Sequence, residues 1–237
     1  MKTGQVQNHF RHQVDNYRNL MAGIIPEYEQ AQQLLVDLLP FDQTEKLRIL
    51  DLGSGPAALS ELVLERYPQS EVLAFDLTQE MLDSAKFRLS RFGSRFQILQ
   101  GDFRNKGLFG VGYDAILAGK TLHHFTDHER KTAFQELFLV LNAGGIFLSH
   151  DIVMDEDPFI SEWHYNLWRK FMRNNGEDDS LWYEKHKEKD HPVSVESLKS
   201  WLIEAGFIHV ACHWQYWNFS VVSATKDGMQ GTPAAFP

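Results

Sequence analysis

Between residues 47 and 153, short apolar segments alternate with helical patterns, and no other feature of the sequence constrains the fold as strongly. The apolar segments LRILDLG, EVLAFDL, FQILQGD, YDAILAG and IFLSHDIV are typical of strands that are covered on both faces, as in a parallel sheet. The segments LSELVLERYP, TQEMLDSAKFRLSRF and HERKTAFQELFLVL repeat apolar residues at helical spacing. We therefore predict an α/β fold with a doubly wound, mostly parallel sheet.

The segments on either side of this alternation have other patterns. Residues 8–39 have apolar residues three and four apart and are interrupted by Pro26, which predicts two helices. The acidic, aromatic stretch after Val153 also has helical periodicity, and IHVACHWQYWNFSVVSATK has two β-rich halves that predict an antiparallel hairpin. The predicted parts of the chain are an N-terminal helical lid segment over residues 1–45, a main domain over 46–226 with a helical insertion over 154–192 that completes the lid, and a disordered tail over 227–237.

The composition limits the partners that we expect. With a net charge of −9 and no cluster of Lys and Arg, the chain is not expected to bind nucleic acid. It has no secretory signal and no apolar run of membrane-spanning length, so we expect a cytoplasmic protein without a membrane partner. The single cysteine, Cys212, excludes an internal disulfide and a multi-thiolate metal site. A small-molecule substrate is therefore expected, and a homodimer is left open.

A glycine turn and two further acidic residues mark the predicted ligand site. The first strand ends at Asp51, and Gly53 and Gly55 form a turn that lets the backbone approach a ligand closely. Asp76 closes the second strand about twenty residues later, where a carboxylate can accept both ribose hydroxyls. Asp102 closes the third strand, where it can accept a hydrogen bond from an adenine amino group. Each feature alone fits an ordinary turn or a helix N-cap, but together they predict a nucleoside site.

Several motifs resemble those of the class I S-adenosylmethionine-dependent methyltransferases. They are LRILDLGSGPAAL, VLAFDLTQEML, LQGDFR, YDAILAGKTLHHF, LNAGG and a final AGF before the hairpin. Ala57 stands where the first motif of that family often has a glycine. The resemblance implies a Rossmann-like, seven-stranded sheet and S-adenosyl-L-methionine as the cofactor, with S-adenosyl-L-homocysteine as the product. An NAD-dependent oxidoreductase is disfavoured because the turn lacks the further glycines of a dinucleotide site.

The resemblance also implies which residues hold the cofactor. The glycine turn would hold the methionine part, the acid after the second strand would hold the ribose, and Leu77 and Met81 would cover the faces of the adenine. The expected cofactor-binding residues are Asp51, Gly53, Ser54, Gly55, Asp76, Leu77, Met81, Gly101, Asp102, Phe103, Ala118 and Gly119.

A closer resemblance links the chain to the carboxy-S-adenosylmethionine synthases and their methyltransferase relatives. It lies in LMAGIIPEYEQ, HYNLWRKFMRNNG and WQYWNFSVVSATK. The synthases hold an additional carboxylate with a late-helix arginine and have an asparagine after the fourth strand, and the corresponding positions here are Trp201 and Gly119. Leaving a buried carboxylate without partners is costly, so we favour an ordinary methyl donor and a small-molecule methyltransferase. A synthase-like enzyme and a non-catalytic cofactor-binding subunit are the alternatives.

The segment after the fourth strand supplies the predicted catalytic residue. Methyl transfer is an in-line displacement, so the protein mainly aligns the reactants, and a nucleophile with a dissociable proton gains from a nearby base. His123 in KTLHHF is the predicted base, although a structural role is also open. No metal is expected, because His150 and Asp151 offer only a weak ligand set with the neighbouring histidines. The predicted substrate-binding residues are Tyr17, Tyr28, Lys120, His124 and Arg169.

Overall fold

The computed structural model describes residues 17–105 and 107–228, whose strands form a seven-stranded sheet with the order β3-β2-β1-β4-β5-β7-β6. The strands are β1 (Arg48–Leu52), β2 (Glu71–Asp76), β3 (Phe96–Gln100), β4 (Tyr113–Gly119), β5 (Leu141–Ile152), β6 (Ile208–Tyr216) and β7 (Phe219–Thr225). The helices are α1 (described over residues 17–24), α2 (Tyr28–Asp37), α3 (Ala58–Arg66), α4 (Gln79–Arg88), α5 (Asp127–Val140), α6 (Pro158–Asn174), α7 (Asp179–Lys189) and α8 (Val195–Glu204). Within the described ranges, no helix is long and apolar enough to span a membrane.

Successive side chains of each strand enter different layers of the core. In β1, Ile49 packs into one apolar cluster with α2, α3 and α4, whereas Leu50 and Leu52 pack into another with α5 and α8. This follows from strand geometry, because neighbouring side chains point to opposite faces of a sheet. β7 runs antiparallel to both of its neighbours, β5 and β6, and all other neighbouring strands are parallel. The predicted doubly wound, seven-stranded and mostly parallel sheet is therefore confirmed.

The strand order reverses at β1, which lies between β2 and β4. The connection from β1 leads to β2 on one side, and the chain later returns to β4 on the other side. The connections that follow β1 and β4 therefore lead in opposite directions along the sheet, and a crevice lies at the carboxyl ends of these strands, the usual ligand position in doubly wound sheets. This crevice is where the fold can place a site.

The fifth strand begins earlier than the sequence predicts. LNAGG is expected to close the preceding helix, but α5 ends at Val140, and Leu141 already pairs with Tyr113 of β4. The Nζ of Lys226 donates to the carbonyl oxygens of Phe138 and Leu141 at 2.7 and 2.8 Å. A cation that satisfies the last carbonyl groups of a helix stabilises its end. Because that cation comes from a distant part of the chain, the local pattern could not reveal it.

The helices outside the sheet pack on one another beside the ends of β5 and β7. Met21 and Ile25 of the N-terminal segment join Met172 of α6 in a third apolar cluster. The indole N–H of Trp168 donates to the carbonyl oxygen of Ile24 at 2.6 Å. The N-terminal segment and the insertion thus form one layer. Residues 1–16 of the predicted lid segment and 229–237 of the predicted tail lie outside the described residues, and the predicted domain bounds stay predictions.

Replacing Trp168 tests how firmly the insertion holds the N-terminal segment. Trp168→Phe keeps an aromatic ring but leaves the buried carbonyl oxygen of Ile24 without its donor, so the free energy of unfolding should fall by about 1–3 kcal/mol. Trp168 is 4% exposed, whereas Trp163 on the same helix is 55% exposed and provides the control. Chemical denaturation should show a change within about 0.5 kcal/mol for Trp163→Phe. Equal losses in the two variants would contradict the assigned anchor.

Candidate active site

A cavity of about 420 Å³, here called the first cavity, opens at the carboxyl ends of β1, β2, β3 and β4. Most of the predicted cofactor-binding residues line it, namely Gly53, Gly55, Asp76, Leu77, Met81, Gly101, Asp102, Phe103 and Gly119. Three predicted substrate-binding residues, Tyr17, Lys120 and His124, line it as well. Asp51, Ser54 and Ala118 are not among its lining residues. The fold therefore gathers residues from four consecutive strand ends at the crevice.

The turn after β1 is fixed by its contact with the segment after β4. Gly53 has a φ of 65°, and a Cβ atom there would lie 2.2 Å from the hydroxyl oxygen of Thr121. That hydroxyl donates to the carbonyl oxygen of Leu52 at 3.0 Å. The N–H groups of Gly53 and Ser54 donate to the carbonyl oxygen of Phe75 at 2.7 and 3.1 Å. Glycine is therefore required here for both backbone conformation and space.

The Asp76 carboxylate joins the ends of the first two strands. One oxygen accepts from the N–H of Gly55 and the other from the N–H of Thr78, both at 2.8 Å. Thr78 is the N-cap residue of α4, but its side chain makes no capping hydrogen bond. Because each carboxylate oxygen can accept two hydrogen bonds, Asp76 keeps capacity for the hydroxyls of a ribose.

The far part of the first cavity combines apolar walls with a paired carboxylate. Leu77 and Met81 line it with exposed apolar side chains, which suits a flat apolar ring. The Asp102 carboxylate accepts from the Arg104 guanidinium at 2.7–3.1 Å, and these bonds lower its pKa. Any ligand that reaches Asp102 therefore shares its oxygens with Arg104, a neighbour that the sequence analysis did not consider.

Asp51 lies behind the first cavity and is 1% exposed. Its carboxylate accepts from the backbone N–H of Ser60 at 3.1 Å and from the Ser60 hydroxyl at 2.5 Å. Burial raises the pKa of Asp51 to about 6, and the bonds from Ser60 offset only part of that effect. The residue therefore ties the start of α3 to the end of β1.

A second cavity of about 280 Å³ adjoins the first. The two cavities share Tyr17, Lys120 and His124 as lining residues. The remaining wall comes mainly from α1, the insertion and the end of β5, and it includes Trp168 and Trp182. The layer formed by the N-terminal segment and the insertion therefore encloses space directly beside the first cavity.

His123 lines the second cavity and is paired with Asp151. The ring nitrogen Nδ1 of His123 contacts one oxygen of Asp151, and that carboxylate also accepts from the N–H groups of Leu122, His123 and Ile152 at 2.7, 3.1 and 2.8 Å. Burial would raise the pKa of Asp151, but the contact with His123 and the nearby Lys120 hold it well below its usual range. Burial lowers the pKa of His123 to about 4. The neutral ring thus donates from Nδ1 and keeps Nε2 able to accept a proton.

His124 and Asp190 complete this group on the exposed side. The Nδ1 of His124 lies 3.0 Å from Oδ1 of Asp190, and Oδ2 of Asp190 lies 2.8 Å from Nδ1 of His186. The Nε2 of His123 lies 3.8 Å from the same Oδ1. Ligand atoms of His123, His124 and Asp190 lie within 4.8 Å of one another, so these three residues could reach a metal ion. That the site needs no metal stays a prediction.

Lys120 lies where the two cavities meet. It has a φ of 66°, and its Nζ lies 5.2 Å from the ring centroid of Phe219. Burial lowers the pKa of Lys120 to about 8, and the charges of Asp151 and Asp190 offset only part of this effect. No carboxylate in residues 17–105 or 107–228 lies within ion-pair distance of its Nζ. The ammonium group is therefore only partly compensated by its surroundings.

Two predicted substrate-binding residues lie outside both cavities. Tyr28 is buried in the apolar cluster of α1 and α6. Arg169 pairs with Asp179 at 2.8 Å and lies over the ring of Tyr183. Their position on the lid helices made them candidates, but the direction of a helical side chain depends on packing that the sequence does not state.

Two residues beside His123, Asp151 and Asp190, were not predicted from the sequence as members of this group. Asp151 was considered only as a metal ligand with His150, whose buried ring instead lies 3.3 Å from the amide of Gln32. The position of Asp151 at the end of β5, beside the end of β4, could have indicated that it lies near the residues that follow β4. Asp190 follows α7, far along the chain, and no local motif marks it.

The buried Asp51 makes a prediction about stability and pH. In the folded protein it keeps its proton up to about pH 6, whereas its ordinary pKa is 3.8. Between these values the folded state binds more protons than the unfolded state, so the stability from this group falls as the pH rises and is lost above pH 6. Asp51→Asn does not titrate, so its free energy of unfolding relative to wild type should rise by about 2 kcal/mol from about pH 4 to about pH 7.

The control for this measurement is Asp83→Asn, at an exposed carboxylate on α4. Denaturation of all three proteins across the pH range separates a constant effect of the amide from the titration of Asp51. A difference between Asp51→Asn and wild type that does not vary with pH would contradict the prediction.

Comparisons with known proteins agree with this arrangement. Residues 49–145 match the family described as Methyltransferase domain. A carboxy-S-adenosyl-L-methionine synthase from Salmonella paratyphi B is 25% identical over 220 residues, which are 90% of this chain and 88% of that relative. The resemblance that the motifs indicate is thereby confirmed.

Solved structures show the same fold. The S-adenosylmethionine-dependent methyltransferase SibL matches with a TM-score of 0.60 and 21% identity over 83% of this chain and 56% of its own. Human N-acetylserotonin methyltransferase, solved in complex with SAM, matches with a TM-score of 0.57 and 20% identity over 88% of this chain and 59% of its own. This chain thus spans less than two thirds of either structure. Residues 49–145 are thus similar to the methyltransferase domain family, and the chain has the fold of these solved methyltransferase structures.

Proposed function

We propose that this chain transfers a methyl group from S-adenosylmethionine to a small-molecule acceptor and releases S-adenosyl-L-homocysteine. The observation that carries the proposal is the junction of the two cavities, which combines the predicted cofactor residues with the His123–Asp151 pair. A methyl donor in one cavity and an acceptor in the other would meet there, beside a group that can take a proton.

In this proposal the donor occupies the first cavity. The adenine would lie between Leu77 and Met81, the ribose hydroxyls at Asp76, and the methionine part at the turn of Gly53 and Gly55. The sulfonium group then lies toward the boundary with the second cavity. When bound, the cofactor supplies a methyl carbon already activated by positive sulfur, so the protein's task is to align the acceptor and exclude water.

The second cavity supplies a base for the acceptor. As the acceptor oxygen or nitrogen bonds to the methyl carbon, the carbon–sulfur bond breaks and its electron pair returns to sulfur. The acceptor's proton moves to Nε2 of His123. The resulting imidazolium lies between the carboxylates of Asp151 and Asp190, which stabilise its charge. Burial lowers the pKa of His123, so the ring is neutral before the reaction and Nε2 has a lone pair for this proton, while the two carboxylates offset the low basicity that burial gives the ring.

A carboxy-S-adenosylmethionine synthase activity is the second candidate, because a relative with that name aligns over 90% of the chain. The residue at the position of the expected arginine does not favour it. Trp201 lies on α8 and packs against the apolar cluster that includes α5. The Nζ of Lys131 lies 5.0 Å from its ring centroid, and Trp201 lines neither cavity. Mass spectrometry of the ligand retained through purification separates the candidates: S-adenosylmethionine or its homocysteine product supports our proposal, and a carboxylated sulfonium contradicts it.

The glycine turn gives a direct test of cofactor binding. Gly53→Ala forces a Cβ atom against Thr121, so calorimetry should show at least a tenfold loss of affinity for S-adenosyl-L-homocysteine. Gly176→Ala is the control, because Gly176 also has a positive φ, of 82°, but a Cβ atom there meets nothing within 4 Å. If both variants bind the ligand like wild type, the first cavity is not the cofactor site.

The proposed base is tested by His123→Gln. General-base catalysis typically contributes about 10²–10⁴-fold, so kcat should fall by that factor while the affinity for S-adenosyl-L-homocysteine stays within about twofold. His128→Gln, on the exposed surface of α5, is the control. The assay follows release of S-adenosyl-L-homocysteine with acceptors found in a screen of hydroxyl and amine compounds. Unchanged turnover in His123→Gln would remove the residue from the mechanism.

A further inference from the structure

We propose that the acceptor is an anionic small molecule, a carboxylate carried on a flat apolar ring, and that Lys120 binds its charged group. The inference rests on the proposed function and names the substrate class of the same site. It is drawn from the charge, the shape and the position of the second cavity.

The second cavity has an excess of positive charge. Lys120 lines its boundary with the first cavity, and Lys185 and Lys189 line it from α7. Among its described lining residues, Asp190 is the only carboxylate, and two histidines already contact both of its oxygens. Three lysines thus line a cavity whose single carboxylate among the described residues is already paired, and the Nζ of one of them, Lys185, lies 4.4 Å from the ring centroid of Trp182. A cavity of this kind attracts an anion.

Lys120 is placed as a ligand-binding cation and not as a structural one. The buried Arg130 shows the structural arrangement, since its guanidinium donates to the carbonyl oxygens of Leu122, Phe125 and His191. The Nζ of Lys120 has no such described acceptor, and burial lowers its pKa to about 8. A partly desolvated ammonium gains most from a partner that arrives with the opposite charge.

The rest of the second cavity fits a ring. Ile24, Ile25 and Ile152 provide apolar walls, and Trp168 and Trp182 provide aromatic ones. Its volume of about 280 Å³ is at the small end of ligand pockets, which limits the occupant to a compact molecule. A single apolar ring with one charged group matches both the walls and the volume.

Lys120 also borders the first cavity, where the carboxylate of the cofactor's methionine part is a competing partner. The acceptor is favoured because Lys185 and Lys189, which share the positive field, line the second cavity and not the first. The two partners make different predictions, since a lysine that binds the cofactor carboxylate affects cofactor affinity without any acceptor present.

The experiment uses the full chain saturated with S-adenosyl-L-homocysteine and two pairs of probes. Calorimetry compares 4-hydroxybenzoate with 4-hydroxybenzamide, and benzoate with benzamide, so that each pair has the same flat ring and differs in charge. We expect each carboxylate to bind at least tenfold more tightly than its amide, with an affinity that falls as salt rises.

Four variants locate the preference. Lys120→Gln should weaken carboxylate binding at least tenfold, whereas Lys120→Arg should keep most of the affinity. Changing both Lys185 and Lys189 to Gln should weaken carboxylate binding a few-fold. Lys187→Gln is the control, because Lys187 on the same helix pairs with Glu184 at 2.7 Å and lines neither cavity. Thermal unfolding confirms that each variant is folded.

The outcomes separate this inference from the proposed function. Equal binding of carboxylate and amide, or no binding of any carboxylate, overturns the substrate class while the proposed function stands, provided that S-adenosyl-L-homocysteine binds. A loss of S-adenosyl-L-homocysteine affinity in Lys120→Gln that matches the loss for carboxylates assigns Lys120 to the cofactor and overturns its role here. A chain that binds no S-adenosyl-L-homocysteine contradicts the proposed function itself.

Discussion

The turns after β1 and β4 meet because Gly53 has no side chain. A Cβ atom at this position would overlap the hydroxyl of Thr121, which binds the last carbonyl group of β1. This contact closes the floor of the crevice at the point where the strand order reverses. The first cavity, which Gly53 and Thr121 both line, therefore depends on one missing methyl group at this turn.

Two buried carboxylates have pKa values that are shifted in opposite directions. Asp51 receives hydrogen bonds only from Ser60, so burial dominates and its pKa rises to about 6. Asp151 receives three backbone N–H bonds and the His123 ring, with Lys120 nearby, and its pKa falls. The contact with His123 and the nearby positive charges, not the depth of burial, keep Asp151 ionised. Only the second arrangement can hold a histidine in one tautomer and stabilise its protonated form.

The fold was predictable because its signals are local. Apolar strands, helical periodicity and the glycine turn can each be recognised within a short stretch of sequence. The acids at successive strand ends lie together because the sheet brings those strand ends together. The same signals led to the residues predicted to bind the cofactor, such as Asp76 and Met81, and these residues line one cavity. What the sequence could not supply are contacts between distant segments, such as Lys226 at the end of α5.

The acceptor side shows the same limit more strongly. Asp190 lies beside His123 and His124 because α6 and α7 pack back against this end of the sheet. No spacing in the sequence predicts this packing. Tyr28 and Arg169 belong to the same layer but point elsewhere, into the apolar cluster and toward Asp179. Helical periodicity identified the layer, whereas the direction of each side chain was decided by packing. The second cavity is therefore formed mainly by contacts between segments that are distant in the sequence.

Tyr17 has a consequence for how two ligands influence each other. It belongs to α1, lines both cavities, and its hydroxyl lies 3.8 Å from where a Cβ atom on Gly55 would stand. Occupants of the two cavities would therefore touch the same side chain, so the position of Tyr17 that suits one occupant is also the position that the other occupant meets. Such linkage is reciprocal: the factor by which the first ligand improves the affinity for the second is also the factor by which the second improves the affinity for the first.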